Sequence, residues 1–168
     1  MIYLKKLNKA DAKKEFDFLV KLKPENGFEN EYYNMSYNEF LNTSIQERLN
    51  SSNSINLKKG YVPDTYFFLY DNEQIVGIFK VRHHLNDHLK NGAGHIGYAI
   101  AEDFRNRGYA VKGLNLAIQE LHKLMPKEEQ QIYLSCKRSN IASLKVQEAC
   151  GAYIDHIDGD EFYTRIDL

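Results

Sequence analysis

A chain of 168 residues with 43% hydrophobic and 27% charged residues has enough apolar surface to close one core, so residues 1–168 are read as a single domain. A formal net charge of -1 gives no general attraction to nucleic acid or to an anionic membrane, and neither is expected as a partner. The opening Met1-Ile2-Tyr3-Leu4-Lys5-Lys6-Leu7 lacks the apolar centre of a signal peptide, and no apolar run is long enough to span a bilayer, so the expected location is the cytoplasm. The cysteines, Cys136 and Cys150, have neither metal-knuckle spacing nor disulfide density and read as buried thiols.

From Asp11 to Leu22 the apolar residues Phe16, Leu19, Val20 and Leu22 fall on one helical face, and Pro24 with Gly27 ends the segment. The polar and aromatic stretch from Glu25 to Asn34 has no period and reads as a loop. A second helix is expected from Tyr37 to Leu49, followed by the polar cluster Asn50 to Ser54. Thr65 to Tyr70 and Ile75 to Val81 are β-branched and aromatic, joined by the turn-forming Asp71-Asn72-Glu73-Gln74, and predict a hairpin.

A polar connection from His83 to Gly94 leads to a strand at His95 to Ile100 and a helix at Gly108 to Leu124, where Val111, Leu114, Ile118, Leu121 and Met125 recur at helical spacing. Ile132 to Cys136 reads as a strand, and Ser139 to Cys150 as a helix stopped by Gly151. Two short strands, Tyr153 to Ile157 and Glu161 to Ile166, flank Asp158-Gly159-Asp160.

The strand, basic turn and helix around Arg105-Asn106-Arg107-Gly108-Tyr109-Ala110 form an anion-binding arrangement, because a helix N-terminus offers unpaired N–H groups and glycine lets the chain approach a phosphate. The pattern Arg105-x-x-Gly108-x-Ala110 resembles the pyrophosphate loop of the GNAT superfamily of acyl-CoA-dependent N-acyltransferases, [Q/R]-x-x-G-x-[G/A]. A second family mark, N-x-x-[S/A]-x-x-x-Y-x-x-x-G-F, is matched at Asn140, Ser143 and Gly151. The resemblance implies an α/β (α+β) fold: a mixed central sheet of about six to seven strands, splayed in the middle, with about four helices on its two faces. A leading strand would then lie at Ile2 to Lys6.

The resemblance also implies acetyl-CoA as co-substrate, with no metal. The main-chain N–H groups from Arg105 to Ala110 would wrap the pyrophosphate, and Arg105 and Arg107 would add charge. The pantetheine arm would pair with the main chain of Tyr98, Ala99 and Ile100 like an added strand, bordered by Asn140 and Ser143. Asn140 also qualifies as a plain helix N-cap. Two positions depart from the pattern: Ala152 replaces the usual aromatic, and Gln147 stands where many members carry a tyrosine that protonates the leaving thiolate. An amide supplies no proton at neutral pH.

For the general base the first choice is His95, which opens the strand beside the cleft and whose pKa lies near working pH; a chain of waters is the alternative. His83, His84 and His88 lie just upstream as partly exposed polar side chains, and a zinc site among them lacks a clear helix and a nearby cysteine. Tyr109, Tyr133, Tyr153 and Tyr163 lie on elements near the cleft without marking themselves as the acid. The acidic loop with Glu25, Glu29, Glu31, Tyr32 and Tyr33 is either an anchor for a cationic amine or a solvated surface. The reaction expected from the resemblance is N-acetylation of a small-molecule or peptide amine by direct attack in a ternary complex. The alternative is a non-catalytic acyl-CoA-binding sensor, and the resemblance makes a homodimer through the C-terminal strands possible.

Overall fold

The computed structural model describes residues 1–168. Strands β1 (Ile2–Lys6), β2 (Asp64–Asp71), β3 (Gln74–Arg82) and β4 (Ile96–Ile100) form one antiparallel sheet in that order. Strands β5 (Gln131–Lys137), β6 (Tyr153–Asp158) and β7 (Glu161–Asp167) form a second, with β7 in the middle. The leading strand and the hairpin stand where the sequence puts them, within a residue of the expected ends.

Strands β2 and β3 are covered on both faces, which explains their near-continuous aromatic and branched runs. Strand alternation sorts these side chains into two cores. Phe68, Tyr70 and Ile78 pack beneath α1 (Ala12–Leu19) and a longer helical stretch that follows it. That stretch comprises α2 (Tyr37–Glu39), a π-helical turn at Phe40–Ser44 and α3 (Ile45–Ser52), so the second expected helix extends further and is wound unevenly. The polar connection before β4 contains a single turn, α4 (Asp87–Lys90), that periodicity cannot reveal; Asn86 Oδ1 caps it by accepting the Leu89 N–H at 2.9 Å. On the other face Phe67, Leu69, Phe79 and Val81 pack against α5 (Tyr109–Leu124) through Leu114, Ala117 and Leu121. Helix α6 (Ile141–Ala149) leads from β5 back to β6.

The splay implied by the resemblance lies between β4 and β5, which share no ladder. The two sheets are hydrogen-bonded to each other at one point. The His95 N–H donates to the Tyr133 carbonyl at 2.7 Å, and the Tyr133 N–H donates to His95 Nδ1 at 3.0 Å. Gly94, at φ +65°, permits this approach, because a Cβ there would overlap the Tyr133 carbonyl.

Candidate active site

After β4 the chain makes a 3-10 turn (Glu102–Phe104) and then takes left-handed conformations at Asn106 (φ +60°) and Gly108 (φ +77°) before α5 begins. Alternation of this kind turns successive N–H groups toward one side. From Asn106 to Val111 none of the six main-chain N–H groups has an acceptor within the protein; the first to find one is Lys112, which donates to the Gly108 carbonyl at 3.2 Å. With the positive end of a 16-residue helix behind them, these groups make a cradle for a diphosphate.

Side chains hold the loop in place. Arg105 Nε donates to the Ile100 carbonyl at 3.0 Å, and its guanidinium pairs with Glu25. The Arg105 guanidinium, expected to add charge at the pyrophosphate, here braces the loop, and Glu25 is its partner in that brace. Arg107 is exposed and lies over the Phe104 ring at 5.7 Å. Tyr109 donates to the Asp71 carboxylate at 2.6 Å, tying the start of α5 to the hairpin turn.

The edge of β4 facing the splay is open. Ala101 N–H bonds the Val76 carbonyl at 3.0 Å, and antiparallel alternation then turns the main-chain groups of Gly97 and Ala99 toward β3 and those of Tyr98 and Ile100 into the opening. Of the three residues expected to pair with a pantetheine arm, Tyr98 offers a free edge, Ile100 a free N–H beside a carbonyl already held by Arg105 Nε, and Ala99 neither.

Across the opening, Asn140 Oδ1 accepts the Ser143 N–H at 3.2 Å, so Asn140 is the N-cap of α6 while its side chain still lines the cleft. Ser143 Oγ shares a hydrogen bond with Tyr98 Oη at 2.8 Å. Gln147 is buried and fully used: its amide donates to the Ser135 carbonyl at 3.1 Å, and its oxygen accepts from Thr164 Oγ1 at 2.6 Å. The residue in the family's tyrosine position is thus a pin between α6, β5 and β7. The phenol in this neighbourhood is Tyr98, which enters from the opposite wall, stacks on Phe79 at 5.5 Å and has its pKa pushed up to about 12, chiefly by burial.

Tyr98 and Ser143 border a cavity of about 700 Å³. Its floor is Asp64, Tyr66, Lys80 and Arg82 on β2 and β3, its far wall Ser135, Lys137, Glu161 and Tyr163, and its rim includes Glu29 and His88. Burial raises the pKa of Glu161, with Lys137 opposing. The sequence reading missed this floor, although charged residues at alternate positions of an otherwise apolar strand, Lys80 and Arg82, are a legible sign of a wetted patch.

His95 is placed elsewhere. It is 0% exposed and does not line the cavity. Nδ1 accepts a main-chain N–H, so the proton of the neutral ring sits on Nε2, which has no partner; burial pushes its pKa down to about 4. No open acceptor nitrogen is left to take a proton from a substrate. His83 Nε2 shares a hydrogen bond with Thr65 Oγ1 at 2.8 Å. Of the other tyrosines, Tyr133 lies under the Arg165 guanidinium at 4.0 Å, Tyr153 donates to Asp167 at 3.1 Å, and Tyr163 faces the cavity while stacking on His156 at 4.5 Å. Tyr32 is a core residue and Glu31 is exposed, so of the acidic loop Glu29 alone among its carboxylates reaches the cavity.

The profile of the acetyltransferase (GNAT) domain matches residues 3–153. The chain belongs to the GNAT acetyltransferases. Solved structures with the same fold include a spermidine N-acetyltransferase from Vibrio cholerae in complex with CoA and spermine (17% identity, 99% of this chain and 95% of that chain, TM-score 0.61). They also include the microcin C7 self-immunity acetyltransferase MccE in complex with acetyl-CoA and AMP (13% identity, 99% and 92%, TM-score 0.68). A third is the ribosomal-protein-S5-alanine acetyltransferase from Vibrio fischeri (15% identity, 99% and 92%, TM-score 0.62). No curated protein sequence matches. No helix is long and apolar enough to cross a membrane.

Proposed function

We propose that this protein is an N-acetyltransferase that moves the acetyl group of acetyl-CoA to a primary amine on a small molecule or peptide, by direct attack in a ternary complex. The observation that carries the reading is the run of six acceptor-free N–H groups from Asn106 to Val111, next to an open β4 edge and a cavity. A diphosphate fits that run. Related structures carrying CoA or acetyl-CoA support the same cofactor here.

In this reading Tyr98 and Ile100 present main-chain groups to the pantetheine arm, and an N–H at this edge polarises the thioester carbonyl. The amine nitrogen attacks the carbonyl carbon, and the C–S bond breaks as the tetrahedral intermediate collapses. Glu161, the carboxyl in the cavity whose pKa burial raises, takes the amine proton directly or through water. Tyr98 stays neutral and donates a hydrogen bond to the departing sulfur. A thiol pKa of about 8.5 makes that sulfur a leaving group for which such a bond suffices. His95 holds the seam between the sheets and takes no proton.

The test is thermal melting with acetyl-CoA and with desulfo-CoA, followed by thiol release with a panel of amines. Both ligands are expected to raise the melting temperature saturably. Gly108→Val, which needs a left-handed φ without meeting any neighbour, is expected to abolish the shift while the protein stays folded. No shift with the wild type refutes the cofactor site, and a shift without turnover of any amine favours the non-catalytic binder.

A further inference from the structure

The cavity floor carries more positive charge than its own carboxylate satisfies. Asp64, 5% exposed, accepts from Ser51 Oγ at 3.0 Å and Arg48 Nη1 at 3.4 Å on one oxygen, and from Lys80 Nζ at 3.1 Å on the other. Arg82 stands opposite Asp64 in the β2–β3 register, yet that carboxylate has turned to Arg48 and Lys80. The Arg82 guanidinium makes one hydrogen bond, Nη1 to the Gly94 carbonyl at 3.0 Å, and no ion pair. Asp64 is therefore the one carboxylate ion-paired within this group of three cations, and the guanidinium fork has N–H groups to spare where it borders the cavity. Burial lowers the pKa of both Lys80 and Arg82, with Asp64 opposing in each case.

The remaining charges in the cavity do not supply the missing anion. Glu161 lies opposite Lys137 in the β5–β7 register and is coupled to it, and Glu29 sits on an exposed loop. The space is thus polarised: the β3 floor is basic, and the carboxylates stand away from it, Glu161 beside Lys137 on the far wall and Glu29 on the rim. A polycation would add to the excess on the floor. A molecule carrying an amine and an oxyanion would place each end against the opposite charge.

We infer that the acceptor carries an oxyanion, a carboxylate or a phosphate, on the same molecule as its amine, and that Arg82 receives it with Lys80 alongside. A guanidinium is suited to this role because its planar fork meets either group with two parallel hydrogen bonds. The inference rests on the acetyltransferase reading and names the acceptor class for that same cavity.

The experiment compares matched pairs: phenylalanine against phenethylamine for a carboxylate, and phosphoethanolamine against ethanolamine for a phosphate, with spermidine as the opposite extreme. Thiol release with acetyl-CoA gives kcat/KM, and melting in saturating desulfo-CoA gives binding without chemistry. In one pair at least, the acid-bearing member is expected to exceed its neutral partner by about tenfold or more in one of the two readouts. Arg82→Gln is expected to reduce that ratio toward unity and Arg82→Lys to restore part of it. The pair that shows the preference identifies the carboxylate or the phosphate. Equal use of both members in both pairs, preference for spermidine, or a ratio unmoved in Arg82→Gln overturns the inference. Failure of the acetyltransferase reading shows separately, as a protein that desulfo-CoA does not stabilise.

Discussion

Replacing His95 by Asn tests the role of the seam histidine through its protonation. The native ring is neutral, held at a pKa of about 4 against an ordinary 6.5, chiefly because it is wholly buried and also because Arg82, Lys90 and Arg165 lie nearby. Above 6.5 the histidine is neutral in both folded and unfolded chains, and its contribution to stability is fully present. As pH falls toward about 4 the unfolded chain takes up a proton that the folded chain refuses, so that contribution is lost. At about 1.4 kcal/mol per pH unit the loss is roughly 3 kcal/mol over that interval, large beside a stability of about 5–15 kcal/mol. Asn keeps an acceptor oxygen where Nδ1 was and removes the titration, its amide NH2 taking over from Nε2–H as the unpartnered buried donor. Urea unfolding through the acid range should show the variant losing roughly 3 kcal/mol less than the wild type between neutral pH and about 4. Its kcat near neutral pH should stay within about threefold of wild type, since removing a general base costs about 10²–10⁴-fold. An unchanged acid slope would refute the buried neutral imidazole, and a hundredfold fall in kcat from a well-folded variant would return His95 to the mechanism.

Tyr98→Phe removes the hydroxyl shared with Ser143 and keeps the ring on Phe79; kcat should fall about tenfold with little change in the KM for acetyl-CoA, as pre-steady-state and steady-state thiol release would show. Gly113 lets α5 settle onto β3, and a Cβ there would run into the Phe79 ring, so Gly113→Val should cost about 1–3 kcal/mol in urea unfolding; a neutral result would mean that the helix can shift without penalty.

The fold was legible where its signals are periodic. The β2–β3 hairpin and α5 declare themselves by alternation and by three- and four-residue spacing, and the loop at Arg105 to Ala110 by its glycine and its place between strand and helix. Single turns are not periodic, which is why α4 inside the polar connection escaped. Glu15 shows a different limit. It received no reading from the sequence, yet on α1 it is 0% exposed, accepts the Asn8 N–H at 3.2 Å on both oxygens, and burial pushes its pKa up to about 8. No local pattern encodes that a neighbouring loop will close over a carboxylate.

The site residues divide along the same line. Main-chain conformation could be read, because it follows from local sequence; the run of acceptor-free N–H groups before α5 is the case in point. Roles carried by side chains depended on which strand faces which. The guanidinium of Arg105, expected to add charge to the loop, ties that loop to Ile100 and to Glu25, eighty positions away, a contact no local pattern announces. Where α6 lacks a tyrosine, a phenol from β4 reaches Ser143 across the splay, an arrangement that a motif written along one helix cannot express. In a cleft between two sheets that are hydrogen-bonded only at His95, what must persist is a group's position in space, and either wall can supply it.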